Sequence, residues 1–267
     1  MSVPSLDSEY ASLDPLQVRI DTHRRYSEVH DDVNGAVVET LRLTGAEYLI
    51  DVGCGTAEFL RHVVDRGHRG PLTGVDTSQA AVDAAARIEG VQGIRAGAEQ
   101  MPIPDGACDV ITSRHVLYHL GEPLRALREF HRVVRPDGVV CVVVNHARTC
   151  NNTHRLVADV AARYGFVEPG DMLNKAVNSD TVPAMMAGVF GNVAVRRFDN
   201  ALMIPEVTAA VRFAESLFAF CGVGQDSPHK AAVRADVEVE LQRWFAAHPG
   251  QPWRDPKGYT VITSVRR

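Results

Sequence analysis

Gly53 and Gly55 stand directly after the apolar run Tyr48-Leu49-Ile50-Asp51-Val52. A first strand that ends this way can bring its backbone close to a nucleotide. The dinucleotide pattern asks for a third glycine where this chain has Glu58, and a carboxylate at a helix N-terminus repels a pyrophosphate. Asp51, two residues before the first glycine, adds a second acid. Two acids flanking the turn suit a ligand that carries positive charge and no phosphate. Asp76 ends a second apolar run, 25 residues after Asp51. A carboxylate there can accept hydrogen bonds from both hydroxyls of a ribose; the alternative is a turn residue or a helix cap.

Three histidines, His115, His119 and His146, follow the ends of what read as a fourth and a fifth strand. Histidine titrates near neutrality and is the default base for taking a proton from a hydroxyl or an ammonium. Arg114-His115-Val116-Leu117-Tyr118-His119 puts His115 and His119 on one face if the segment is helical. In the alternative, His119 packs on the next helix and His115 touches only a cofactor. The His-x-x-x-His spacing also occurs in zinc sites, but Val116 stands where the essential glutamate would be. No metal is expected.

The elements that must position these groups alternate between strand and helix. Strands are expected at 48–52, 72–75, 91–96, 108–113 and 139–144. Helices are expected at 56–64, 78–88 and 122–135, the last opened by Pro123 and stopped by Pro136-Asp137-Gly138. Such alternation implies a parallel, right-handed, doubly wound sheet. After His146 come helices at 151–164, opened by Asn152 or Thr153, and at a segment capped by Ser179-Asp180. A strand at 193–198, helices at 206–220 and 229–245, and a last strand at 259–265 complete the chain. The expected fold is α/β: a doubly wound, mostly parallel seven-stranded sheet with an N-terminal helical segment and a helical cover inserted among the late strands. The expected division is 1–44, 45–150, 151–257 and 258–267.

Composition excludes several classes. Lys and Arg sum to 28 and Asp and Glu to 33, a net charge of -5, so the chain has no general attraction for DNA or anionic lipid. Only Lys175, Lys230 and Lys257 are lysines, which reads as codon bias. Five cysteines, with no CxxC pair, suit a reducing compartment. The N-terminus, Met1 to Asp7, lacks the pattern of a signal peptide, and the longest apolar run, Val139 to Val144, is too short to span a bilayer. A cytoplasmic protein with no membrane partner is expected.

Leu49-Ile50-Asp51-Val52-Gly53-Cys54-Gly55-Thr56 resembles the first signature of class I S-adenosylmethionine-dependent methyltransferases. Gly74-Val75-Asp76-Thr77-Ser78 resembles their second, and Ala98-Glu99-Gln100-Met101-Pro102-Ile103 the stretch beside the adenine. Cys108-Asp109-Val110-Ile111-Thr112-Ser113 is similar to the strand leading to the transfer site. Arg132 to Val140 is similar to the helix-to-strand turn that closes the core. S-adenosylmethionine, with its ammonium and sulfonium, also answers the charge argument above. The resemblance covers residues 45 to 146. Two positions depart from it: Ala57 stands for a third glycine, and Gly97 for an aspartate that would accept the adenine amino group. The Asn-Pro-Pro-Tyr type motif of nucleobase amino methyltransferases is missing, which argues against DNA.

The resemblance implies a methyl transfer to O or N of a small molecule, such as a natural product. Cofactor contacts are expected from Asp51, Gly53, Cys54, Gly55, Asp76, Thr77, Ala98, Glu99, Ser113 and Arg114, and from Arg25 and Tyr26 of an N-terminal helix. His119, then His115 and His146, are the candidate bases. Phe213, Phe218, Phe220, Trp244, Phe245 and Trp253 form either the core of the cover or an apolar pocket for the acceptor. Two other readings stay open: a different reaction on the same cofactor, such as a cyclisation, and an RNA methyltransferase with a groove built from Arg24, Arg25, Arg196 and Arg197. The acceptor and the oligomeric state are not written in the sequence.

Overall fold

A computed structural model describes residues 14–169, 174 and 176–267. The N-terminal stretch read above for a signal peptide lies outside the described residues. The elements are α1 (Asp14–Tyr26), α2 (Val33–Leu41), β1 (Leu49–Val52), α3 (Glu58–Asp65), β2 (Leu72–Asp76), α4 (Gln79–Ala86), β3 (Val91–Arg95) and β4 (Cys108–Arg114). They continue with α5 (Pro123–Val133), β5 (Val134–Asn145), α6 (Asn151–Ala162), α7 (Val182–Phe190), β6 (Ala194–Ile204), α8 (Val207–Glu215), α9 (Lys230–Ala247) and β7 (Trp253–Val265).

Seven strands form one sheet in the order β3-β2-β1-β4-β5-β7-β6. The pairs from β3 to β5 are parallel, and β7 joins β5 antiparallel, with Val142 opposite Ile262. The order reverses between β1 and β4. Open α/β sheets bind ligands outside the carboxyl ends of their strands at such a point.

The chain divides into two compact units. One holds Asp32–Ala147, Lys175–Phe198 and Tyr259–Arg267; the other holds the described residues up to Asp31, with Arg148–Asn174 and Asp199–Gly258. In the sheet unit, alternate side chains feed two cores. Ile50, Val52, Ile111, Val140, Val142 and Ile262 pack with Leu127, Phe130 and Met186 of α5 and α7. Leu49, Val110, Cys141, Val143 and Val261 pack with Val37, Phe59, Leu60 and Ala85 of α2, α3 and α4. Strands buried on both faces explain the unbroken apolar run at 139–144. The other unit closes around Val157, Val160, Phe213, Phe218, Val233, Val237 and Leu241, so Phe213 and Phe218 serve as core there.

Four local expectations are corrected. The helix before β5 ends at Val133, not at the Pro136 turn; that turn lies inside β5, with Asp137 at φ +62°. Residues 115–119 are not an α-helix: His115 sits at φ +59° and only Leu117–His119 form a single 3-10 turn. His115 and His119 therefore do not share a helical face. Helix α6 begins after Cys150, and neither Asn152 nor Thr153 caps it. Its first N–H groups, those of Asn152 and Thr153, donate to the two oxygens of Asp255, each at 2.9 Å. Thr181, not Ser179 or Asp180, precedes α7.

All five cysteines are free and buried. No helix of the described residues is long and apolar enough to cross a membrane.

Candidate active site

The loop after β1 is held open by backbone conformation. Gly53 and Gly55 have φ of +71° and +51°, and Ala57, which precedes α3, has φ +58°. The N–H groups of Gly53 and Cys54 both donate to the carbonyl of Val75, at 2.7 and 3.1 Å. A Cβ at Gly53 would lie 2.2 Å from Val116 Cγ2, whereas a Cβ at Gly55 would meet nothing within 4 Å. Glycine at 53 thus lets the protein pack on itself, while Gly55 faces open space. Cys54 turns inward. Burial, then the charges of Asp51 and Asp76, push its thiol up to about 12, so only its backbone is offered to a ligand.

Asp76 ties the ends of β1 and β2 together. Its Oδ2 accepts from the Gly55 N–H at 3.0 Å and its Oδ1 from the Ser78 N–H at 2.9 Å. The turn role and a ligand role are compatible, because each carboxylate oxygen keeps a second lone pair. Thr77 is exposed, and its carbonyl accepts from Arg95 Nε at 3.0 Å. The N–H of Ala96 donates to the Asp76 carbonyl at 3.0 Å, which brings the β3 end alongside. Ala98 is buried there, while Glu99 makes no hydrogen bond or ion pair with the described residues.

Asp51 is fully buried and faces its own unit: Thr112 Oγ1 donates to it at 2.7 Å and Arg114 Nη2 at 3.0 Å. Arg114 also donates to Asn34 at 3.0 Å, and its guanidinium lies 4.4 Å from the Phe59 ring centroid. The positive charge of Arg114 balances the acid that the sequence set beside the turn. Ser113 Oγ and Arg114 Nε are buried and have no hydrogen-bond partner among the described residues. An unsatisfied buried hydroxyl at the carboxyl end of a central strand is a place for a ligand atom.

Beyond β4, the N–H of His115 donates to the Val143 carbonyl at 2.9 Å, so this loop stays beside β5. Tyr118 stands between the two histidines, its ring 6.3 Å from that of His115 and 4.7 Å from that of His119. Its hydroxyl accepts from Asn145 Nδ2 at 3.4 Å. His119 reaches solvent, yet enough protein surrounds the ring for desolvation to lower its pKa below the usual 6.5. Desolvation thus favours the neutral imidazole. His146 is half-buried at the start of the loop after β5.

Tyr118 and Asn145 were missed by sequence reasoning, although Tyr118 lies inside the segment that carried the histidines. Arg25 and Tyr26 lie on α1 in the other unit, with the Arg25 guanidinium 5.3 Å from the Tyr26 ring centroid. Arg24 pairs with Asp21, Arg196 with Glu39 and Arg197 with Asp180. No group of three or more side chains able to hold a metal occurs among the described residues.

Residues 50–142 match the family model for a methyltransferase domain. A malonyl-[acyl-carrier protein] O-methyltransferase of Serratia marcescens is 37% identical over 95 residues, which are 35% of this chain and 36% of that protein. A demethylmenaquinone methyltransferase of Staphylococcus epidermidis is 31% identical over 112 residues, 40% of this chain and 46% of that protein. The chain thus spans less than half the length of these curated relatives. Among solved structures, the YcgJ protein of Bacillus subtilis superposes with a TM-score of 0.57 at 19% identity, covering 88% of this chain and 97% of that one. The cyclase SpnF does so with a TM-score of 0.56 at 19% identity, covering 100% of this chain and 99% of that one. At such identities the superpositions speak for the fold alone, a Rossmann-like open sheet, and residues 50–142, which match the methyltransferase domain model, lie within it.

Proposed function

We propose that the chain is an S-adenosylmethionine-dependent methyltransferase that acts on an oxygen or nitrogen of a small molecule. The observation that carries this reading is the glycine loop after β1, open above Gly55 and tied to Asp76, inside a segment that matches the methyltransferase domain model. The residues fit the cofactor. Gly53, Cys54 and Gly55 would hold its methionine part by backbone, Asp76 and Thr77 its ribose, and Ala98 and Glu99 its adenine. Ser113 Oγ is a hydroxyl that lacks a partner without it. Asp51 would act through Arg114. When bound, S-adenosylmethionine supplies an electrophilic methyl group on a sulfonium.

The chain's own task is then to hold the acceptor in line and to take its proton. His119 is the preferred base, with His115 and His146 behind it. Desolvation favours its neutral imidazole, so Nδ1 or Nε2 can accept the proton of an acceptor hydroxyl. Because its pKa lies below 6.5, the activity should persist into mildly acidic buffer and fall only as the pH drops through that lowered value. The relatives above carry different acceptors in their names, so the segment shared with them does not select the acceptor.

Calorimetry with S-adenosylhomocysteine tests the cofactor reading. Asp76→Ala should weaken binding by about 2 kcal/mol, roughly thirtyfold, through lost charge-assisted hydrogen bonds. Unchanged affinity would remove Asp76 from the ribose site. Gly53→Val is a poor test, since its side chain would strike Val116 before any ligand; Gly55→Ala, which meets no protein atom, is the better one once its melting temperature shows that the fold absorbs the strain of an alanine at φ +51°. His119→Ala should lower kcat by about 10²–10⁴ with cofactor affinity retained. A cyclisation is the second reading, favoured by the full-length superposition on SpnF. Product formation without release of S-adenosylhomocysteine would establish it.

A further inference from the structure

The chain has two tryptophans, and both line the same groove of the second unit, a space of about 370 Å³. One wall is a face of α6: Asn152, Arg155, Leu156 and Asp159 follow the i, i+3, i+4, i+7 spacing of a single helical stripe. The other wall is Trp244 of α9, with Gln251, Pro252 and the first two residues of β7, Trp253 and Arg254.

The floor is built rather than incidental. Trp253 Nε1 donates to Thr153 Oγ1 at 2.9 Å, and Asp255 fixes the first turn of α6 from below. Trp244 stands edge-on to Trp253, with centroids 5.1 Å apart, and lies parallel to His248 at 4.4 Å. The aromatic surfaces are therefore locked in orientation before any ligand arrives. The rim is different. The side chains of Arg155, Asp159 and Gln251 make no hydrogen bond or ion pair with other described residues, although Arg155 and Asp159 are one helical turn apart.

The chemistry of this lining narrows the ligand. Asp159 opposes an anion such as phosphate, and Arg155 opposes a cation, while the charge of Arg254 is already met by Glu28 at 3.4 Å. A purely apolar ligand would leave the polar rim unsatisfied, at a cost in free energy. What remains is a neutral ligand with many hydroxyls and one apolar face. Carboxylate, amide and guanidinium groups each offer two coplanar donors or acceptors, which match pairs of neighbouring hydroxyls, while an indole supplies the platform for the C–H face of a ring. We propose that this groove is a saccharide-binding site that takes a pyranose ring. No part of the inference rests on the methyltransferase reading.

The tryptophans make the site self-reporting, because all indole emission of the protein comes from it. The full-length protein is titrated with a panel of methyl pyranosides (gluco, galacto, manno, and the N-acetylglucosamine glycoside), with uridine, adenosine and inorganic phosphate as contrasts. At least one pyranoside should give a saturable change in indole emission and saturation-transfer signals from its ring protons. Asp159→Ala and Gln251→Ala, both exposed and outside the core, should each weaken binding about tenfold without changing the melting temperature. Trp244→Phe keeps a ring in the packing and should weaken it further. Three outcomes would overturn the proposal: no saturable response to any pyranoside, a response indifferent to Asp159→Ala and Gln251→Ala, or a stronger response to the nucleosides or phosphate. Methyl transfer need not be measured, so failure here leaves the proposed activity standing, and the converse also holds.

Discussion

Asp51–Arg114 in the sheet unit and Lys257–Asp31 in the other unit are both buried ion pairs, and the two are built in opposite senses. In the sheet unit the acid is the deep partner: the Asp51 side chain is 0% exposed and that of Arg114 14%. In the other unit the base is deep: the Lys257 side chain is 3% exposed and that of Asp31 27%. Around Asp51, neutral Thr112 supplies the remaining hydrogen bond. Around Lys257 the neighbours are Asp31, Ser27 Oγ and, at 3.4 Å, His23 Nδ1. His23 Nε2 in turn lies 3.9 Å from Cys150 Sγ. A charge stranded by loss of its partner costs most when water cannot reach it. The depth of the surviving partner, rather than the length of the bond, should therefore rank the damage.

The largest effect is expected from Arg114→Ala, which leaves the Asp51 carboxylate buried and uncompensated. It should cost about 3–5 kcal/mol in urea unfolding. A loss below that of the lysine substitution described below would break the comparison. The second effect is one of pH. Desolvation, and then the charge of Lys257, lower His23 from 6.5 to about 4, against the opposing pull of Asp31 and with a further lowering from Arg19. Between these values the unfolded chain binds a proton that the folded one refuses. Stability should thus be complete above pH 6.5 and fall as the pH drops toward 4, by about 3 kcal/mol in all. His23→Gln should flatten that part of the stability–pH curve; an unchanged slope would show that His23 titrates normally.

The smallest effect belongs to Lys257→Met. It fills a similar volume and leaves Asp31 within reach of water, so the expected loss is about 1 kcal/mol. The same variant removes the positive charge beside His23. It should therefore also shift the acid limb of the stability curve to lower stability loss, a readout that simple repacking would not give.

The two regions also differ in how far they could be read in advance. The strand ends read at 52, 75 and 113, the last two within one residue of those found, the turn glycines and the parallel part of the sheet follow from spacing and alternation within short windows. Gly53 and Gly55 announce a backbone that must run at positive φ, and Asp76 sits close enough in sequence to be linked to them. Whether His115 and His119 share a face stayed open in the sequence, because four-residue spacing alone cannot distinguish a helix from an extended crossing with one 3-10 turn. Thr153 looked like a helix cap by type, but Asp255 from a distant strand supplies both acceptors. Arg114 was legible as part of a motif, while its partner Asp51 was legible only as an acid near the turn. Their pairing across β4 and β1 depends on strand order.

By itself the sequence determined the doubly wound core, the glycine loop and the acid at the end of β2. All of these rest on residues within a few positions of a strand end, where local backbone geometry restricts the choice. Only the tertiary structure decided where the charges settle and which surfaces are built. His23, Ser27, Asp31, Cys150 and Lys257 meet across more than 220 positions. Trp244 and Trp253 share a groove with α6, about a hundred residues upstream. No spacing rule couples residues so far apart; the contacts exist because strands and helices adjacent in space bring them into one desolvated volume.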